Sequence, residues 1–136
     1  GTILSGWLSD RVDSRILLVF YYGLRGLALF TVPFVLGPTV EPPMLFFIVF
    51  YGLDWIATVP PTIALTRKYF GAARTGVIYG WIFASHMVGA AVAAGFAGAI
   101  RDIQGDYFIA WITAAVLCLV AAASFILLRE RKQVVQ

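Results

Sequence analysis

Long apolar runs separated by short polar breaks organise this chain. Four runs, at about 16–36, 44–66, 75–100 and 107–128, are each long enough to cross a bilayer. At about 1.5 Å per helical residue, about 20 residues span roughly 30 Å of hydrocarbon. Residues 1–9 form a shorter apolar piece that reads as the cytoplasmic end of a preceding helix. The breaks carry the turn chemistry. Gly37-Pro38-Thr39-Val40-Glu41-Pro42-Pro43 cannot continue a helix, because its prolines lack the donor and clash with the turn before them. Arg67-Lys68-Tyr69-Phe70-Gly71-Ala72-Ala73-Arg74 reads as a basic turn. Arg101-Asp102-Ile103-Gln104-Gly105-Asp106 reads as a short polar one, and Arg129-Glu130-Arg131-Lys132 stops the last run. The pattern predicts an all-α integral membrane protein with four transmembrane helices.

Composition narrows the class further. Of 136 residues, 61% are hydrophobic and 12% charged, against about 45–50% and 25% in soluble domains. The chain needs an apolar solvent. Its net charge of +3 is small and its basic residues gather at the ends of the runs, which excludes a nucleic-acid surface. Cys118 is the only cysteine, so no intramolecular disulfide or cysteine metal cluster can form. No metal-ligand or cofactor motif is present. Gly1 opens the chain within an apolar run, so the sequence reads as a piece of a longer protein.

The charges orient the spans. Eight of the ten Lys/Arg residues lie in three segments: Arg11 and Arg15; Arg67, Lys68 and Arg74; Arg129, Arg131 and Lys132. Four crossings put all three on one side, which the positive-inside rule makes cytoplasmic, C-terminus included. The other two connections hold one arginine and three carboxylates between them. Tyr69, Phe70, Tyr107 and Trp111 sit near span ends, where interfacial aromatics belong.

Three ionisable side chains fall inside the spans: Arg25, Asp54 and His86. A charge at that depth costs about 2.5–3.5 kcal/mol on insertion scales, so each needs a partner or a wet cavity. Two accounts fit. One is a structural Arg25–Asp54 pair between adjacent helices, with His86 hydrogen-bonded to a neighbour. The other is a substrate and proton pathway in which Asp54 takes up a proton and His86 offers a second titratable site or an anion contact. The stretch from Gly52 to Thr62 favours function for Asp54. It joins that carboxylate to Trp55, Thr58 and the Pro60-Pro61 pair, which must kink the span and free the carbonyls one turn earlier. Irregular backbone at membrane depth is tolerated only inside protein or on a cavity. Tyr79, Trp81 and Ser85 are further candidate contacts. The third span carries small residues at four-residue spacing, Gly76, Gly80 and Ala84, and again Ser85, Gly89, Ala93 and Ala97. Such faces let helices approach closely in lipid, so this helix is expected to be packed on both sides.

The opening turn, Gly6-Trp7-Leu8-Ser9-Asp10-Arg11-Val12-Asp13-Ser14-Arg15, carries a family-level signal. Gly6, Leu8, Asp10, Arg11 and Arg15 resemble the loop signature of the major facilitator superfamily, while Asp13 and Ser14 depart from it. Gly6 permits a close approach of backbones, the arginines prefer the cytoplasmic face, and Asp10 could cap a neighbouring helix N-terminus. The resemblance implies that the chain supplies spans nine to twelve, with the tail of the eighth, of a twelve-helix bundle. It implies a secondary transporter of the bacterial inner membrane that moves a small solute by alternating access. Its partners would be that solute, the lipid bilayer and the N-terminal half of the same transporter, with no nucleic acid and no cofactor. The Asp54-Trp55 to Pro60-Pro61 stretch and Trp81-Ile82-Phe83-Ala84 are similar to bacterial carriers of the monocarboxylate and oxalate/formate type, which implies an anionic organic solute and a coupled proton. The alternative is a non-transport membrane protein, either an assembly subunit or a membrane-embedded enzyme. Hydrolase, zinc-protease and nucleotide-binding motifs are missing from the sequence, which argues against the enzyme and against an ATP-driven pump.

Overall fold

The computed structural model describes residues 1–35 and 42–128. Most of the 37–43 connection and the basic tail at 129–136 lie outside the described residues. Every element is helical: α1 (Thr2–Ser9), α2 (Ser14–Val35), α3 (Pro42–Trp55), α4 (Val59–Phe70), α5 (Ala72–Gln104) and α6 (Phe108–Leu127). Four segments are long and apolar enough to cross a membrane: Ser14–Val35, Met44–Phe70, Ala72–Gln104 and Phe108–Leu127. The four predicted spans therefore exist, and the second is made of two helices, α3 and α4.

The tightest pairing is between α2 and α6, which run antiparallel along their whole length. Arg15 at the start of α2 donates to the Leu128 carbonyl just past α6. Tyr22 stacks on Phe125 with centroids 5.7 Å apart, and Phe34 meets Phe108 edge-on at 6.4 Å. Between these contacts the backbones close in at Gly26. A Cβ there would come within 2.9 Å of Leu119 and 3.1 Å of the Ala115 carbonyl oxygen, so the approach depends on glycine. The small core of Leu29, Val32 and Ala115 sits beside this approach, covered by Phe47 and Tyr51 of α3. α1 lies against α4.

Two spans are longer than the hydropathy predicts. The second ends at Phe70 instead of 66, and α5 runs through Arg74 at one end and Arg101–Gln104 at the other. Polar residues do not end a helix at the membrane surface, since water and headgroups accept their side chains. Backbone geometry ends it. Gly71 and Gly105, the two positive-φ glycines among the described residues, both have φ 80. Each caps the helix before it, a position where only glycine is free of strain. α5 has 33 residues. At the helical rise it is about 50 Å long, so it overhangs the hydrocarbon.

The expected burial of α5 on both sides is not met. None of its residues is buried, and a Cβ at Gly76, Gly80 or Gly89 meets nothing within 4 Å. Within this chain α5 leans chiefly on α4. Small residues permit close approach but do not supply the helix that approaches.

Candidate functional site

The site is built around the interruption between α3 and α4. Pro60 and Pro61 have no N–H, so the carbonyls of Ile56 and Ala57 lose their intrahelical partners. The helix breaks instead of kinking. Pro60 and Pro61 fall in the first turn of α4, where missing donors do no harm. Across the break the backbone tightens to three-residue spacing. Ala57 N–H donates to the Asp54 carbonyl and Val59 N–H to that of Ile56, each at 3.1 Å.

Two side chains from other helices satisfy what the break leaves bare. The Ser5 hydroxyl of α1, which is buried, donates to the Ala57 carbonyl. This takes the place of the N–H that Pro61 lacks. Arg25 reaches in from α2. Its Nη2 donates to the carbonyls of Asp54 at 2.7 Å and Trp55 at 3.2 Å. The Trp55 carbonyl would ordinarily be met by Val59 N–H, now turned to Ile56. The break is thus held by donors from α1 and α2.

The same guanidinium carries the ion pair. Arg25 Nε lies 2.8 Å from Asp54 Oδ2, with the two side chains 13% and 6% exposed. Asp54 Oδ1 is buried and has no hydrogen-bond partner among the described residues. Arg25 Nη1 likewise makes no hydrogen bond there, but it is not sealed off. Arg25 lines an open cavity of about 460 Å³ between α2, the break and α5. That volume lies within the roughly 300–1,000 Å³ of small-molecule sites.

Four of the five residues predicted for a substrate or proton pathway line this cavity: Arg25, Trp55, Thr58 and His86. The fifth, Asp54, sits behind Arg25 and reaches the cavity only through it. Thr58 makes no side-chain capping bond and no other side-chain hydrogen bond among the described residues. The hydroxyls of Thr62 and Ser85 donate to the carbonyls of Thr58 and Ile82. His86 has no hydrogen-bond partner among the described residues and lies 6.2 Å from the Phe83 ring. Tyr79 and Phe83 stack at 6.4 Å on the same wall, whereas Trp81 is 75% exposed and faces elsewhere. Tyr22 and Ser5 were not singled out by sequence. A serine in an eight-residue apolar piece carries no signal until the broken helix lies beside it.

The loop-motif residues separate from one another around the first turn. Gly6 is half-buried on α1. Arg11 lies 3.9 Å over the Trp7 ring, a cation–π contact. Asp10 is exposed and makes no ion pair among the described residues. Helix capping falls to Asp13 instead, the position that departs from the family signature. Its Oδ1 accepts from Arg15 N–H at 2.8 Å, which caps the start of α2. Its Oδ2 lies 3.6 Å from Lys68 at the end of α4. Partial burial pushes the Asp13 carboxyl up, but the Arg15 N–H bond and the charges of Lys68 and Arg15 outweigh it. The net direction is below the usual carboxylate value. Arg15 and Asp13 together tie the first turn to the ends of α4 and α6.

Comparison with known proteins adds the family. The chain is 26% identical to Monocarboxylate transporter 13 of Rattus norvegicus over 130 residues, covering 94% of this chain and 30% of that protein. It is 28% identical to the uncharacterized MFS-type transporter YcxA of Bacillus subtilis (strain 168) over 113 residues, covering 80% of this chain and 28% of that one. The chain thus spans about 30% of the length of these curated relatives. No solved structure matches it. The family model of the Major Facilitator Superfamily matches residues 1–136, and its four apolar crossing helices make it part of a multi-pass membrane protein. From its first residue to its last, the chain belongs to the major facilitator superfamily.

Proposed function

We propose that this chain is the C-terminal part of a secondary transporter: its last four spans, preceded by the tail of the span before them. The whole protein moves a small organic anion across the bacterial inner membrane by alternating access, with its C-terminus in the cytoplasm. It is a carrier and not an enzyme. The observation that carries this reading is Arg25, ion-paired to Asp54 on one side and open to a cavity on the other. The name of the rat relative, a monocarboxylate transporter, agrees with an anionic solute.

Proton coupling follows from charge. With Asp54 ionised, the pair presents no net charge and Arg25 has little attraction left for an anion. A proton on Asp54 leaves the guanidinium with a full positive charge facing the cavity, and an anion then restores neutrality. Each binding event favours the other by the same free energy, which is the linkage a symporter needs. Oδ1 of Asp54, buried and without a partner among the described residues, is the atom that takes the proton.

The test uses the full-length protein in liposomes, measuring uptake of labelled monocarboxylates with and without an inward proton gradient. Asp54→Asn mimics the protonated acid, so it should keep solute exchange and lose gradient-driven accumulation. Gradient-driven accumulation that survives in Asp54→Asn, or in an Arg25→Gln, Asp54→Asn double variant, removes Asp54 from the coupling.

A further inference from the structure

We infer that the solute is an arylcarboxylate: a carboxylate carried on an aromatic ring, with no ammonium group. The inference rests on the reading of the cavity as a transport site and names what that site selects. What decides it is which groups on the cavity wall remain free to meet a ligand.

Charged recognition on this wall runs in one direction. Arg25 lines the cavity as a cationic donor, and Thr58 and His86, whose side chains make no hydrogen bond among the described residues, line it too. No carboxylate side chain lines the cavity among the described residues; Asp54 lies behind Arg25 with Oδ2 on its guanidinium. On this wall a ligand ammonium would lose its water and find no counter-charge, a desolvation cost without return. The hydroxyls of Thr62 and Ser85 already donate to backbone carbonyls, which leaves Arg25 as the one permanently charged donor on this wall among the described residues.

The rest of the wall is aromatic. Tyr22, Trp55, Tyr79 and Phe83 all line it, and Tyr79 and Phe83 are arranged as a stacked pair at 29°. Arg25 lies 5.5 Å from the Tyr22 ring centroid, so the anion-binding end and the ring-lined surface adjoin. A three-carbon acid would engage the guanidinium and leave these rings bare. A ligand ring placed on them gains about two- to tenfold in affinity per aromatic contact beyond simple burial. The geometry thus selects an anionic head and a flat apolar body within one ligand.

Equilibrium dissociation constants of the purified full-length protein for four matched compounds test this, together with counterflow in liposomes. The compounds are 3-phenylpropionate, propionate, phenylalanine and 3-phenylpropanol. The expected result is that 3-phenylpropionate binds at least tenfold more tightly than each of the others and drives counterflow. Phe83→Ala should then lower the affinity ratio of 3-phenylpropionate over propionate about two- to tenfold. Propionate binding as tightly as 3-phenylpropionate overturns the ring requirement while leaving anion transport intact. Phenylalanine at parity overturns the exclusion of an ammonium group, and 3-phenylpropanol at parity overturns the anionic head. If aromatic and aliphatic anions alike neither bind nor exchange, the reading of the cavity as an anion-transport site fails, and this inference with it.

Discussion

Replacing Arg25 by glutamine should damage this protein far more than replacing Asp54 by asparagine, although the two residues form one ion pair. The asymmetry comes from what each leaves behind. In Arg25→Gln the Asp54 carboxylate, 6% exposed, loses its cation and its only side-chain hydrogen bond among the described residues. Breaking a buried pair from one side costs about 3–5 kcal/mol. The Trp55 carbonyl also loses its donor, but that hydrogen bond is exposed, so water replaces it at little cost. The Asp54 carbonyl fares better, because Ala57 N–H still reaches it. In Asp54→Asn the guanidinium keeps both carbonyl acceptors, and the amide oxygen can take the place of Oδ2. What is lost is charge assistance on one hydrogen bond, about 1–2 kcal/mol. With total stabilities of about 5–15 kcal/mol, the first variant should fall near the limit of folding and the second should not. Membrane abundance and the thermal midpoint of the full-length protein in detergent report both. The expected order is wild type, Asp54→Asn, then Arg25→Gln, with the double variant well above Arg25→Gln alone. Equal loss in the two single variants, or no recovery in the double, would refute the account of Arg25 as the donor that holds the break.

Three further outcomes are expected. Ser5→Ala leaves the Ala57 carbonyl without its buried donor and should cost about 1–3 kcal/mol, seen as a lowered thermal midpoint; an unchanged midpoint would mean the break closes without α1. Asp13→Ala removes the cap of α2 and should cost about 1 kcal/mol, whereas Asp13→Asn keeps a capping oxygen and loses only the surface ion pairs to Lys68 and Arg15, each worth about 0–1 kcal/mol. The folded-state carboxyl of Asp13 lies below its unfolded value. Its contribution is therefore fully present above the unfolded value and disappears as pH falls through the lowered folded one; in Asp13→Asn this component of the acid unfolding curve should vanish. In a Cys118→Ala background, Ala73→Cys should react with an impermeant thiol reagent only from the cytoplasm and Gln104→Cys only from outside, and the reverse pattern would overturn the topology.

The sequence by itself determined that the chain is a set of membrane helices, how many cross, and which residues inside them need partners. These are local properties. Hydropathy summed over about 20 residues sets a crossing, proline chemistry interrupts one, and an ionisable side chain at membrane depth demands company wherever it sits. Arg25 and Asp54 were legible for that reason as residues that need partners, and the opening loop carried the family. Span ends were less legible, because hydropathy falls at the membrane surface while the helix runs on to Gly71 and Gly105.

Tertiary structure alone decided which groups meet and what remains free afterwards. The double proline announces released carbonyls, but only packing brings Ser5 from α1 and Arg25 from α2 to the broken segment. Asp10 and Asp13 are equivalent in charge and three residues apart; Asp13 caps α2 because it immediately precedes the helix, a matter of backbone geometry. Gly26 is one of several glycines in the spans, and only the antiparallel approach of α6 makes its missing Cβ necessary. The small faces of α5 show the limit from the other direction. A sequence can prepare a surface for close contact, but contact is a relation between two surfaces, and only an assembled fold supplies the second.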